Sequence, residues 1–158
     1  VEGVEETDEE GKSRSNRDEA AKVLSVVNDL LAMGDLQPDD IGVISPYNGQ
    51  VRELIRLFEA AGGREPGQPY HGLEIKSVDG YQGREKEVIV FSTVRANERG
   101  EVGFLADYRR LNVAITRAKR GLILLGHPTT LRHDGTWKSY LDWVDEHQLF
   151  AWHVTHSS

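Results

Sequence analysis

The run Val88-Ile-Val-Phe-Ser-Thr-Val94 constrains the fold of this chain more than any other stretch. It is apolar without alternating, so a strand built from it buries both faces, and such strands belong to parallel sheets covered by helices. Gly121-Leu-Ile-Leu-Leu-Gly126 reads the same way, and Ile41 to Ser45, closed by Pro46, is a shorter candidate. Parallel neighbours need long crossovers, and the intervening segments supply them. From Asn16 the pattern turns helical: Ala20, Val23, Leu24, Val27, Leu30 and Leu31 share a face, Asn16 with Glu19 makes a capping pair, and Gly34 stands where the helix should stop. A second helix turns Val51, Leu54, Ile55 and Phe58 inward and ends at Gly62-Gly63, before a Gly- and Pro-rich surface loop reaching Gly72. Glu74 to Val78 is a candidate strand, Trp137, Tyr140, Leu141 and Val144 form a further stripe, and Leu149 to Val154 is a candidate edge strand. Strands and helices alternating at this spacing predict an α/β domain, a doubly wound parallel sheet with helices on both faces.

With 158 residues the chain has room for one core and not two. The expected division is an acidic lead or edge hairpin over residues 1–15, one domain over 16–154 and a disordered tail over 155–158. A hydrophobic share of 38% beside 28% charged residues is that of a soluble globular protein. No apolar run has membrane-spanning length, and the acidic start, Val1-Glu2-Gly3-Val4-Glu5-Glu6, is unlike a signal peptide. The expectation is an intracellular protein, in cytoplasm or nucleus, or an excised piece of something larger, with no membrane partner. Cysteine is absent, which removes disulfides, thiolate metal sites and cysteine nucleophiles. The histidines, His71, His127, His133, His147, His153 and His156, show no ligand-like pairing beyond the last two, so no metal site is expected.

The formal charge of −7 is unevenly spread. Residues 76–120 hold ten Lys or Arg against six Asp or Glu, whereas the rest of the chain holds nine against twenty. Local potential governs contact with phosphates, so the acidic total does not exclude a nucleic-acid partner, although a charge run is also what a solvated face looks like. Within this segment lies Ser77-Val-Asp-Gly-Tyr-Gln-Gly-Arg-Glu-Lys-Glu87. Gly80 and Gly83 allow the backbone to turn or to approach a phosphate, Gln82 offers donors and an acceptor, Arg84 and Lys86 bring cations, and Glu85 can accept from a ribose hydroxyl or orient an arginine. A polar turn whose glycines serve geometry alone is the competing interpretation. Both this segment and the next fall where open α/β sheets place ligands, beyond the carboxyl ends of strands.

Helical geometry sorts Arg109-Arg-Leu-Asn-Val-Ala-Ile-Thr-Arg-Ala-Lys119. With Asp107 as cap, Leu111, Ala114, Ile115 and Ala118 form a core stripe, Arg110 and Arg117 project from one flank, and Arg109, Asn112, Thr116 and Arg120 cover the other side. Two arginines on a rigid helix suit a phosphoryl group, because the guanidinium fork binds its oxygens in pairs. An ion pair of one of the two, Arg110 or Arg117, with a local carboxylate such as Asp79 or Glu85 is the structural alternative. The chain has no Gly-x-x-x-x-Gly-Lys followed by Ser or Thr to cradle a nucleotide and no Gly-x-Gly-x-x-Gly. It therefore carries cations for a phosphate without the cradle that would hold one.

Taken in order, Ile41-Gly-Val-Ile-Ser-Pro-Tyr-Asn-Gly-Gln50, Ser77 to Glu87, Val94-Arg-Ala-Asn97, Val102-Gly-Phe-Leu105 and Arg109 to Lys119 resemble motifs IV, V and VI of superfamily 1 helicases. The up-frameshift type, which includes the nonsense-mediated-decay and immunoglobulin mu-binding helicases, is the nearest pattern, over about Asn16 to Leu149. The resemblance implies the second, C-terminal RecA-like lobe of an ATP-dependent RNA or DNA helicase, a P-loop NTPase fold lacking its P-loop. ATP and Mg²⁺ would be held mainly by the absent first lobe, the N-terminal RecA-like lobe of the same parent. Arg117 would be the catalytic arginine finger, with Gln82, Gly83, Glu85 and Arg110 toward the nucleotide. Ser45, Pro46, Ser77 and Arg84 would face single-stranded nucleic acid, and Tyr47 and Tyr81 would stack on bases, a role that competes with core packing for aromatic residues so placed. A non-catalytic nucleic-acid- or protein-binding module is the alternative function.

Overall fold

The structure, a computed structural model, describes residues 4–7, 14–81, 85–95, 109, 112 and 116–146. The stripe predicted from Asn16 forms α1 (Arg17–Ala32), in which Ala20, Val23 and Val27 are buried and Leu24, Leu30 and Leu31 pack beside them. Asn16 caps it as expected, its side chain accepting from the Glu19 N–H. Gly34, at φ 80°, lets the chain leave in a left-handed turn. Before α1, β1 (Glu6–Thr7) and β2 (Arg14–Ser15) pair antiparallel.

A 3₁₀ turn over Pro38–Asp40 leads into β3 (Ile41–Ser45), buried at every residue. Then come α2 (Asn48–Ala60), β4 (Glu74–Ser77), β5 (Lys86–Ser92), β6 (Ala118–Leu125), the short α3 (Pro128–Leu131) and α4 (Gly135–Glu146). The four long strands form one parallel sheet in the order β4-β3-β5-β6. The period of two divides each central strand between two cores. Ile41, Val43, Val88 and Val90 face α1 and α2, while Ile44, Ile89 and Phe91 face Leu131, Trp137 and Leu141 of α3 and α4. On the first side Phe58 meets Tyr70 edge-on at 4.9 Å between centroids, and the Tyr70 hydroxyl donates to Asn28 Oδ1 at 2.6 Å. This is the predicted α/β architecture, a RecA-like sheet with helices on both faces.

Two expectations change. β6 starts at Ala118, three residues before the apolar run, so Ala118 and Arg120 belong to a strand and not to the preceding helix. It is also the outer strand of the described sheet: Lys119 and Arg120 are exposed and Gly121 to Leu124 half-buried, unlike the two-sided burial of β5. On α4, Trp143 is 49% exposed, whereas Trp137 and Leu141 are buried. The expected cap at Asp107, the core positions Leu111, Ala114 and Ile115, the strand over 149–154 and the tail over 155–158 lie outside the described residues.

Gly42 lies where Tyr81 crosses the sheet. A Cβ there would stand 2.9 Å from Ile89 Cδ1, 3.0 Å from the Tyr81 hydroxyl and 3.2 Å from Lys86 Cγ. With both β3 and Tyr81 buried, these groups have little room to yield. Gly42→Ala is expected to cost about 2 kcal/mol, a fall of several degrees in Tm read by thermal unfolding. An unchanged Tm would show that this contact relaxes freely.

Candidate functional site

At the amino edge of the sheet, Lys86 of β5 is in register with Ala118 of β6. Adjacent strands lie about 4.8 Å apart, so Glu85 and Arg117, the residues immediately before that pair, occupy neighbouring positions on one edge. Glu85 is exposed, while Arg117 is helical and half-buried. Two other cations nearby, Lys86 and Arg120, are already engaged. Lys86 Nζ donates to the Asp39 carbonyl at 2.6 Å and pairs with Glu74 at 3.5 Å, which makes it a tie between strands and not the phosphate cation expected of it. Arg120 pairs with Asp35 and with Glu87, each at 2.9 Å, after the β5–β6 register shifts between Lys86 and Val88. Arg117 differs: its Nε is buried with no hydrogen-bond partner, and it forms no ion pair among the described residues. A buried unsatisfied N–H is costly unless something completes it.

At the carboxyl edge, Ser45 and Ser77 are in register at the ends of β3 and β4. Ser45 is buried, with its Oγ accepting from the Tyr47 N–H at 3.3 Å and its carbonyl from the Val78 N–H at 3.0 Å. Ser77 is half-buried, and its Oγ accepts from the Gly80 N–H at 3.0 Å. Pro46 is buried behind Ser45, whereas Asn48, Asp79 and Gly80 are exposed. Base stacking by Tyr47 and Tyr81 does not fit this arrangement: they are only 3% and 4% exposed, in the core between β5 and α4. The Tyr81 hydroxyl lies over Gly42, and that of Tyr47 accepts from Arg95 Nη1 at 3.2 Å. Core packing is the role the geometry gives both rings.

The segment after β4 therefore begins at one edge of the sheet and ends at the other. Of the described motif residues, Ser77 to Gly80 follow a strand at the carboxyl edge, as expected, whereas Glu85 and Arg117 precede β5 and β6 at the amino edge. Gln82, Gly83, Arg84 and Arg110 lie outside the described residues. Among the described residues no three His, Cys, Asp or Glu side chains cluster to hold a metal ion, and no helix is long and apolar enough to cross a membrane.

Behind the carboxyl edge sits a buried polar network that motif reading missed. Gln50 Oε1 accepts from the Asn16 N–H at 2.8 Å, and Gln50 Nε2 donates to the Asn16 carbonyl and to Ser92 Oγ, each at 3.1 Å. Ser92 Oγ donates to Glu19 Oε1 at 2.5 Å, and the same oxygen accepts from the Val94 N–H at 2.8 Å. Glu19 thus turns away from the reciprocal half of the capping box, which Gln50 supplies instead. Glu19 Oε2 is buried with no partner among the described residues. Burial pushes this carboxyl up to about 7, against the opposing hydrogen bonds from Ser92 and from the Val94 and Thr93 backbone. The signal for these residues was in the sequence: Asn16, Glu19 and Gln50 continue the apolar stripes of their helices, and Ser92 interrupts a doubly buried strand.

An AAA domain family model matches residues 1–129. A regulator of nonsense transcripts 1 homolog from Arabidopsis thaliana is 45% identical over 94% of the chain, which covers 12% of that relative. An ATP-dependent helicase of Saccharomyces cerevisiae is 42% identical over 88% of the chain and 14% of its own length. An uncharacterised ATP-dependent helicase of Methanocaldococcus jannaschii is 44% identical over 91% of the chain, again a small part, 20%, of the relative. A fold, a motif order and relatives that agree over most of these residues lead to one assignment: the chain belongs to the AAA domain family, as the C-terminal RecA-like lobe of a superfamily 1 helicase of the up-frameshift type.

Proposed function

We propose that this lobe supplies the arginine finger and part of the single-strand track of an ATP-dependent RNA or DNA helicase. The observation that carries the reading is the division of the motif residues between opposite edges of one sheet, Glu85 and Arg117 before β5 and β6, Ser45 and Ser77 after β3 and β4. One edge then faces nucleotide and the other the strand. On the first, the uncommitted Arg117 guanidinium binds the γ-phosphate and stabilises charge as the phosphoryl group transfers, and Glu85 accepts from the ribose. Gln82, Gly83 and Arg110 join them through the family resemblance. On the second, the turn from Ser45 through Asn48 and the turn from Ser77 through Gly80, with Arg84, follow the phosphate backbone. That contact does not choose between RNA and DNA.

ATP supplies the free energy for the motor's opening and closing. The residues present fit one side of a nucleotide, a donor and an acceptor without a cradle; the P-loop and the Mg²⁺ ligands belong to the N-terminal RecA-like lobe of the same parent. The relatives, several times longer than this chain, support that division. The domain spans residues 16–154 and works inside the cell on its single strand.

The purified 158-residue chain is expected to show no ATP hydrolysis above background, whereas the full-length parent hydrolyses ATP when single-stranded nucleic acid is added. Steady-state phosphate release checks both. Robust turnover by the chain alone overturns the half-site, and an inactive, folded parent supports a non-catalytic module instead.

A further inference from the structure

The buried network ends on a strained residue. Val94 has φ 71°, a left-handed conformation that a β-branched residue adopts at real cost. The Arg95 N–H donates to the Thr93 carbonyl at 2.8 Å, closing a γ-turn about Val94, and this hand of γ-turn is the rarer, strained one. Two anchors on the first turn of α1 hold it: Glu19 Oε1 accepts from the Val94 N–H at 2.8 Å, and Asn16 Nδ2 donates to the Val94 carbonyl at 3.1 Å.

The turn directs Arg95 back across the carboxyl edge. Arg95 is buried, its Nε donating to Glu5 Oε2 at 2.8 Å and its Nη1 to the Tyr47 hydroxyl at 3.2 Å. Tyr47 begins α2 in the turn after β3, and Gln50, one turn on, closes the circuit through Asn16 and Ser92. The strand-facing turn is thus held from two sides by a network anchored on one carboxylate.

We propose that Glu19 is a positioning residue for single-strand binding: it locks the γ-turn that ends β5, and with it the Arg95–Tyr47 contact that fixes the Pro46–Asn48 turn. The assignment rests on the carboxyl edge being the strand track. Without Glu19 the Val94 N–H is buried unpaired, and Val94 relaxes to negative φ, carrying Arg95 away from Tyr47. Glu19→Gln keeps a carbonyl oxygen in the place of Oε1 and so keeps the lock.

The test measures affinity for fluorescein-labelled oligo(U) and oligo(dT) by anisotropy, beside Tm, in the full-length parent. Glu19→Ala is expected to weaken strand binding roughly tenfold, and Glu19→Gln by less than about twofold. The double variant Glu19→Ala/Val94→Gly separates positioning from stability. Glycine adopts φ 71° freely, so affinity recovers by about threefold relative to Glu19→Ala, while loss of the buried valine lowers Tm further. Affinity and stability then move in opposite directions. Affinity that instead falls with Tm across the three variants overturns the proposal, as does a folded Glu19→Ala protein that binds like wild type. Wild-type parent that binds neither oligonucleotide overturns the reading of the edge itself, and the proposal with it.

Discussion

Replacing Arg117 by Ala in the full-length parent is expected to lower the kcat of strand-stimulated ATP hydrolysis by on the order of a thousandfold, the scale set by known arginine fingers. The reason lies in what Arg117 leaves undone. Lys86 is tied to Glu74 and Asp39, and Arg120 to Asp35 and Glu87, whereas Arg117 carries a buried Nε with no partner among the described residues. Its neighbour on the edge, Glu85, is exposed and offers an acceptor to the same space. A guanidinium that meets the phosphoryl group mainly as charge develops stabilises the transition state more than the ground state. The loss should therefore fall alike on kcat and kcat/KM, with nucleotide affinity changing by less than about tenfold. Arg117→Lys retains the charge and loses the fork, so it should recover only a minor part of the rate. Strand affinity, which the proposed function assigns to the opposite edge, should stay within about threefold of wild type. Steady-state phosphate release and anisotropy on the same preparations read all of this. Unchanged turnover in Arg117→Ala removes the finger, and equal losses of strand and nucleotide binding would show that the substitution unfolds the edge.

The sequence is most legible where one physical demand dominates. Val88 to Ser92 and Ile41 to Ser45 are strands because apolar runs this short are too brief for a helix buried all round, and α1 and α2 follow from stripes that α-helical spacing alone explains. Where two demands meet, the reading slips. Ala118 fits the helical stripe of Leu111, Ala114 and Ile115, but pairing with Lys86 draws it into β6, an override by tertiary contact that local pattern does not contain. The edges of the candidate site depended on strand direction. β4 and β5 both run parallel to β3, so the chain leaves β4 at the carboxyl edge and enters β5 at the amino edge. Glu85 and Arg117 are consequently opposite Ser77, a separation that no residue count in the segment reveals. Tyr47 and Tyr81 were ambiguous for another reason: a ring's affinity for a base and for a core is the same apolar surface, and only burial tells them apart.

The buried carboxyl of Glu19 should make stability fall as pH rises toward neutrality, and Glu19→Gln should abolish that part of the fall. In the unfolded chain this carboxyl ionises near its ordinary value of 4.5; in the folded protein desolvation raises it to about 7, against hydrogen bonds from Ser92, Val94 and Thr93. Between those values the folded state binds a proton that the unfolded state has released. Stability from this group is thus complete below the unfolded value and is lost as pH climbs through the folded one. A displacement of this size corresponds to roughly 3 kcal/mol between about pH 4.5 and 8, lost on the alkaline side. Among the described residues no cation pairs with Glu19 to reverse the sign; its contacts are the Ser92 hydroxyl and the backbone N–H of Val94. The unpartnered Oε2 points the same way, since an ionised oxygen buried without a donor costs more than a neutral one. The Glu19→Gln variant keeps the acceptor and cannot titrate at this position, so the remaining ionisable groups contribute equally to both proteins and cancel in their difference. Measured by urea unfolding, the variant should gain on wild type by about 3 kcal/mol from about pH 4.5 to 8, most of it between about pH 5 and 7. A difference that stays constant across that range would mean that Glu19 is ionised at neutral pH and stabilised by contacts the network does not supply. A difference of the opposite slope would place its folded ionisation below 4.5, a carboxylate held by charge and not by burial.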